Sequence, residues 1–248
     1  MKSAIFFAIG CAAVSIASMG YAQDEQTGFS LGLGAGFSTN PYEGEDTSFS
    51  AVPLIRYKGD GFSLGADGAT VTAYSLDALR FELLARPRFT ALRDPDADEL
   101  DGIDREVTLD AGGKLSYSLT DRSNLSATLL QEITGEHDGQ EFLLELSNRT
   151  NFGPVPLIFG TGLSWKSEEL SSYMFGVTSG EARSDRPEYD LDSTLTPYFS
   201  VSSGFPLSDT SRVIASVKAE FLGDEITDSP IVEDDQIFSG LVGLSFSF

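Results

Sequence analysis

The one histidine of the chain, His137, lies in Gly135-Glu136-His137-Asp138-Gly139. A histidine becomes a general base when a hydroxyl or thiol nucleophile and an orienting carboxylate converge on it. His137 instead sits in a short glycine-flanked segment between two apolar runs, which reads as a loop. No Gly-x-Ser-x-Gly elbow appears in the chain. One histidine with scattered carboxylates lacks the ligand spacing of a metal site. The single cysteine, Cys11, falls in the apolar N-terminal stretch, which leaves no disulfide framework and no thiolate site beyond it. No catalytic residue, cofactor or metal is therefore expected.

A second group of chemically capable residues shares one face of alternating segments. It comprises Arg80, Glu82, Arg86, Arg88, Asp110, Lys114, Glu141, Glu145, Arg149, Arg212, Lys218 and Glu220. Mixed charges turned into an enclosed space can select ions in a water-filled pore, or pair with one another and fill it. Wide channels belong to barrels of about 16 to 18 strands, so a chain of 248 residues favours the filled arrangement. Phe37, Tyr57, Tyr117, Phe152, Trp165 and Phe205 fall near segment ends, where an interfacial aromatic girdle belongs.

The elements that position these residues are long alternating runs. Phe29 to Phe37, Leu79 to Phe89, Val107 to Leu119 and Val213 to Phe221 each place apolar residues at every second position, the period of a strand. The last run sets Phe238, Gly240, Val242, Leu244, Phe246 and Phe248 against mostly small or polar residues. Runs of about 9 to 13 residues suit tilted strands crossing a bilayer, whereas soluble strands average about 5 to 6. Leu244, Phe246 and the terminal Phe248 match the insertion signal of outer-membrane barrels. At the other end, Lys2, the apolar stretch Ala4 to Ala17 and Gly20-Tyr21-Ala22 form a signal peptide. The cut is expected after Ala22, giving a leader over 1–22 and a barrel over 23–248. Elsewhere no apolar run approaches the ~18 residues of a membrane helix.

The expected fold is therefore all-β: a transmembrane antiparallel up-and-down β-barrel of 12 strands, with 10 as the alternative. Eleven strands are plain. The twelfth is sought either at Ser172 to Thr178 or between Tyr57 and Ala78. Long acidic connections (91–105, 135–139, 166–190, 223–235) alternate with short ones (120–123, 151–154, 206–211), as outer loops alternate with periplasmic turns. Pro53, Pro87, Pro156 and Pro197 fall inside the runs, where each removes a ladder donor; strand ends or bulges would accommodate them. The net charge of −22 repels nucleic acid.

Several segments, in order, resemble the MipA/OmpV family of MltA-interacting outer-membrane proteins. They are Pro41-Tyr42-Glu43-Gly44, Val52 to Tyr57, Leu100 to Asp104, Tyr173 to Val177 with Gly176, and Leu222-Gly223-Asp224 with Asp228-Ser229-Pro230-Ile231-Val232. Met174 and Phe175 depart from the family's Tyr-Tyr. The resemblance implies a non-enzymatic barrel in the bacterial outer membrane, inserted into its lipid by the barrel-assembly machinery. It also implies a scaffold role between a lytic transglycosylase and a peptidoglycan synthase. A small cation-preferring channel and an adhesin-like surface barrel are the alternatives. Tyr42, Gly44, Gly176, Ser229 and Pro230 are the residues the resemblance marks.

Overall fold

A computed structural model describes residues 27–248. The expected leader and its cut after Ala22 lie outside the described residues. Twelve strands form one closed antiparallel barrel. They are β1 (Gly28–Ser38), β2 (Ser48–Gly59), β3 (Phe62–Gly65), β4 (Gly68–Leu76), β5 (Leu79–Arg88), β6 (Thr108–Ser118), β7 (Ser123–Glu132), β8 (Gln140–Phe152), β9 (Val155–Lys166), β10 (Thr194–Pro206), β11 (Ser211–Phe221) and β12 (Gln236–Ser247). Each strand pairs with its sequence neighbours, and β1 closes on β12 from Ser30↔Ser247 to Ser38↔Ser239. Closure pairs most of the main-chain groups that hydrocarbon cannot satisfy.

The segment Ser172 to Thr178 is not a strand. Helix α1 (Glu168–Phe175) covers most of it, with the Ser167 side chain accepting from the Leu170 amide at its start. A serine at that position satisfies one of the orphan donors of the first turn and so favours helix over strand. The twelfth strand comes instead from Tyr57 to Ala78, which holds the short β3 and the bulged β4. The register shift between Thr72 and Tyr74 breaks the alternation there, which hides the strand from a period-two reading.

The four prolines that fall inside the alternating runs all sit where one neighbour is missing. Pro197 is one residue short of the first β10–β11 pair, Tyr198↔Glu220. Pro156 lies beyond the last β9–β10 pair, Ile158↔Ser202, and its carbonyl accepts from Ser203 Oγ at 2.7 Å. Pro53 has no partner on the β3 side, and Pro87 none on the β4 side. A residue without an N–H fits these positions and no interior ladder position.

Burial is inverted relative to a soluble protein. Outward residues such as Leu33 (65 % exposed), Phe49 (79 %) and Val242 (55 %) form an apolar outer belt, as lipid contact requires. The main apolar core lies in the loops, not in the lumen. It gathers Tyr42, Leu92, Leu100, Ile103, Phe175, Val177, Leu191, Ile226 and Ile231. These come from the connections β1–β2, β5–β6, β9–β10 and β11–β12, all at one end of the barrel. At the opposite end the turns span only two to four residues. Short turns mark the periplasmic end, so the folded loops form an extracellular cap.

Candidate functional site

Below the cap, an ion-paired cluster inside the barrel bridges β5 and β8 and reaches β6 and β9. Glu141 of β8 is 5 % exposed and accepts from Arg86 at 2.8 Å and Arg88 at 2.7 Å, both on β5. Arg88 also reaches Asp110 of β6 at 2.6 Å. Ser164 of β9 donates to the second Glu141 oxygen at 2.7 Å, and Lys166 donates to Ser164 at 3.3 Å. Elsewhere in the lumen, Tyr198 donates to Glu145 at 2.9 Å. Lys218 pairs with Glu220 at 2.9 Å and lies 4.6 Å from the Tyr198 ring centre. Period-two alternation brings each of these side chains inward; adjacent strands bring Arg88 to Asp110, while Arg86 and Arg88 reach Glu141 past the two intervening strands β6 and β7. Charges removed from water are tolerated when they are paired and hydrogen-bonded in this way.

The cap joins the loops by polar clasps around its apolar centre. Arg105 is 6 % exposed. It forms an ion pair with Glu181 and donates from Nε to the Tyr173 carbonyl at 2.8 Å. Burial would raise the Glu181 carboxyl. The bonds from Arg105 and Thr178 outweigh it and hold the group at about 2. Arg186, 3 % exposed, donates to three carbonyls: Glu99 at 2.7 Å, Asp101 at 3.1 Å and Glu181 at 2.8 Å. Glu45 accepts from the amides of Asp96 at 2.8 Å and Ala97 at 3.0 Å, tying the β1–β2 loop to the β5–β6 loop. None of these three clasps was visible in the sequence, which showed only that the connections are long and acidic.

The residues marked by family resemblance converge in this cap. Tyr42 donates from its hydroxyl to the Met174 carbonyl at 2.9 Å, with its ring 6.0 Å from that of Phe175. Ser229, 3 % exposed, donates to the Phe175 carbonyl at 2.5 Å. Pro230 precedes Ile231, whose carbonyl accepts from the Glu43 amide at 3.0 Å. Gly176 ends α1 and donates to the Ser172 carbonyl at 2.8 Å. A Cβ on Gly176 would come within 2.5 Å of that oxygen. Gly44 has φ of +75°, a region open mainly to glycine. These five residues hold loops together. None of them presents a reactive group to an open cleft.

His137 is also placed structurally. Its Nδ1 accepts from the Gly139 amide at 3.0 Å, and its ring stacks 4.5 Å from Tyr173. Burial lowers its pKa, against the pull of nearby Glu132. The Glu132 carboxylate accepts from the amides of Thr134, Gly135, His137 and Asp138, and so ties the loop. Among the described residues no cluster of three or more His, Cys, Asp or Glu side chains is placed to hold a metal. At the periplasmic end, Phe248 is 80 % exposed and donates from its amide to the Phe29 carbonyl at 2.9 Å. Phe246 and Leu244 stand on the outer, lipid-facing side of the same strand.

The family model for "MltA-interacting protein MipA" matches residues 31–248, nearly the whole barrel and its cap. The chain belongs to the MipA family. The MltA-interacting protein of Escherichia coli (strain K12) is 29 % identical over 97 % of each chain. The outer membrane protein OmpV of Vibrio cholerae is 24 % identical over 87 % of this chain and 84 % of its own. The relatives are named as interacting or outer-membrane proteins, and this MipA-family chain is an outer-membrane β-barrel. Among solved structures, an outer membrane channel from Pseudomonas putida F1 is 13 % identical. It covers 92 % of this chain and 98 % of its own, with a TM-score of 0.47. The twelve-strand assignment rests on the chain's own strand pairing.

Proposed function

We propose that this barrel is a non-enzymatic scaffold that docks peptidoglycan-remodelling enzymes, a lytic transglycosylase first and a peptidoglycan synthase with it. The observation that carries the reading is a lumen occupied by protein groups at two levels. The Glu141 cluster bridges β5 and β8 inside it, and the loop core lies over its outer end. A barrel occupied in this way is better suited to presenting surfaces than to passing solute. The full-length match to a protein named for interaction with MltA points the same way. Docking then falls to the periplasmic rim, where the turn residues Leu207 (56 % exposed) and Leu119 (49 %) are exposed.

The test is a pull-down from detergent-solubilised envelopes with the tagged barrel as bait. Recovery of a lytic transglycosylase that is lost when Leu119 and Leu207 are both replaced by Asp supports the scaffold. Absence of any murein hydrolase or synthase, together with steady cation-preferring conductance in a planar bilayer, replaces it with the channel reading.

A further inference from the structure

The barrel wall is incomplete on one side. Strand β3 has only four residues and pairs with β2 from Arg56↔Gly65 to Gly59↔Phe62. The other eight residues of β2, Ser48 to Ile55, have no strand on that side. Strand β4 pairs with β5 only as far as Ala69↔Ala85, leaving Arg86, Pro87 and Arg88 without a partner there. The β3–β4 hairpin therefore stops partway up, and a notch opens above it between β2 and β5. Eight residues amount to roughly 26 Å of strand edge. The Glu45 bonds to Asp96 and Ala97 roof the notch from above.

Main-chain direction shows what the notch edges present. The Ile55 carbonyl accepts from Ala66 in the hairpin turn at 3.2 Å. Odd residues of β2 thus turn their polar groups to the notch side, and Pro53 is one of them. On β5, a Cβ added at Gly68 of β4 would lie 2.3 Å from the Ala85 oxygen. Odd residues of β5 therefore face the same way, Pro87 among them. Both edges carry a proline whose missing N–H faces the gap. Proline on the open side of an edge blocks strand addition, so a β-strand from another chain is a poor occupant.

The surroundings fit a different one. Outside the notch, Phe49, Ile55, Leu64 and Leu83 are exposed and apolar, so acyl chains meet the opening. Inside, Val52 and Leu54 of β2 face the lumen, as the alternation with exposed Ala51 and Ile55 requires. Small residues lie beneath this strip: a Cβ at Gly36 would be 3.2 Å from Val52 Cγ2, and one at Gly243 would be 2.6 Å from Leu54 Cδ1. The far edge carries Arg86 and the paired cluster. An irregular backbone edge at membrane depth is tolerated only where it is covered or lines a polar cavity. A molecule with an apolar chain and a polar head meets both demands.

The geometry points to a lateral portal between β2 and β5, through which a single-chain amphiphile of the outer leaflet enters the lumen and lies on the Val52–Leu54 strip. This does not depend on the scaffold reading.

The experiment uses the unaltered chain in phospholipid vesicles that contain a fatty acid with a diazirine near the end of its chain. After photolysis, labelled residues are mapped by mass spectrometry. A parallel sample receives a water-soluble diazirine. The expected result is acyl-chain label on inward Val52 and Leu54 within a few-fold of that on lipid-facing Leu33, with little on Thr128, which faces the lumen from the complete wall. Acyl-chain label confined to outward residues overturns the portal. So does label on Val52 and Leu54 from the aqueous reagent alone, which would make the notch a water-filled mouth. Insertion of two Thr-Val repeats at Ala66–Asp67, lengthening the hairpin, should cut the label on Val52 and Leu54 while leaving that on Leu33. Retention of the inward label in this variant overturns the assignment of the entry route.

Discussion

Glu141 holds two arginines and a serine, so its replacement tests whether the lumen is filled. Glu141→Gln keeps the shape but leaves Arg86 and Arg88 sharing fewer charges. Removing one partner from a buried pair costs about 3–5 kcal/mol, which for a chain of this size lowers a melting midpoint by something on the order of 10 °C. The measurement is the temperature at which unheated and boiled protein cease to migrate differently in SDS. Arg56→Gln is the contrast. Its pair with Asp67 has side chains 36 % and 46 % exposed, and such pairs are worth about 0–1 kcal/mol. Equal small shifts for both variants would mean that water, not protein, surrounds Glu141. In the cap, Glu181 has its folded pKa held at about 2, below the ordinary carboxylate value. A depressed folded pKa contributes stability that is full above the ordinary value and lost as pH falls toward about 2. Pepsin should therefore leave the loops intact at pH 4 and cut them near pH 2. In Glu181→Gln the extra cutting on acidification should shrink, with more cutting at pH 4.

At the scale of elements, the C-terminal strand separates assembly from stability. Phe248 is largely exposed, and its one main-chain bond is at the barrel's end. Deleting it removes little packing, so the melting midpoint of assembled protein should move by about 1 kcal/mol or less in equivalent terms. If the terminal aromatic is read during insertion, the amount reaching the outer membrane should fall sharply. Quantifying assembled barrel against periplasmic fragments checks this, and full assembly of the truncated chain would sink the idea. The elements differ in how legible they were. Strands β5, β6, β11 and β12 alternate cleanly because one face meets lipid and the other the lumen. Strand β3 is four residues long and β4 carries a bulge, so neither sustains a period. Helix α1 lies in a loop, where no apolar face repeats often enough to announce it. Tyr42, Gly176 and Ser229 stood out only by resemblance. Their meeting in one cap depends on loops that are far apart in sequence, and no local pattern encodes that.

At the scale of the whole molecule, two obstructions lie in series. The ion cluster sits between β5, β6, β8 and β9, and the cap core sits above it. A solute moving along the axis must pass both, so purified protein in a planar bilayer should give no steady conductance at neutral pH. Removing one obstruction should leave the other in place. Arg105→Ala loosens the cap by cutting its bonds to Tyr173, Gly176 and Glu181, yet the Glu141 cluster still bars the lumen. Its expected trace is as quiet as that of the parent. Combining Arg105→Ala with Arg86→Ala and Arg88→Ala opens both levels and leaves Glu141 and Asp110 facing water. Conductance should appear only in this combined variant. It should favour cations, because unpaired carboxylates raise the local cation concentration, an effect that weakens as salt screens it. Steady steps in the parent protein would mean that neither obstruction is tight. Conductance from Arg105→Ala alone would place the barrier in the cap, and the charged cluster would then line an open path.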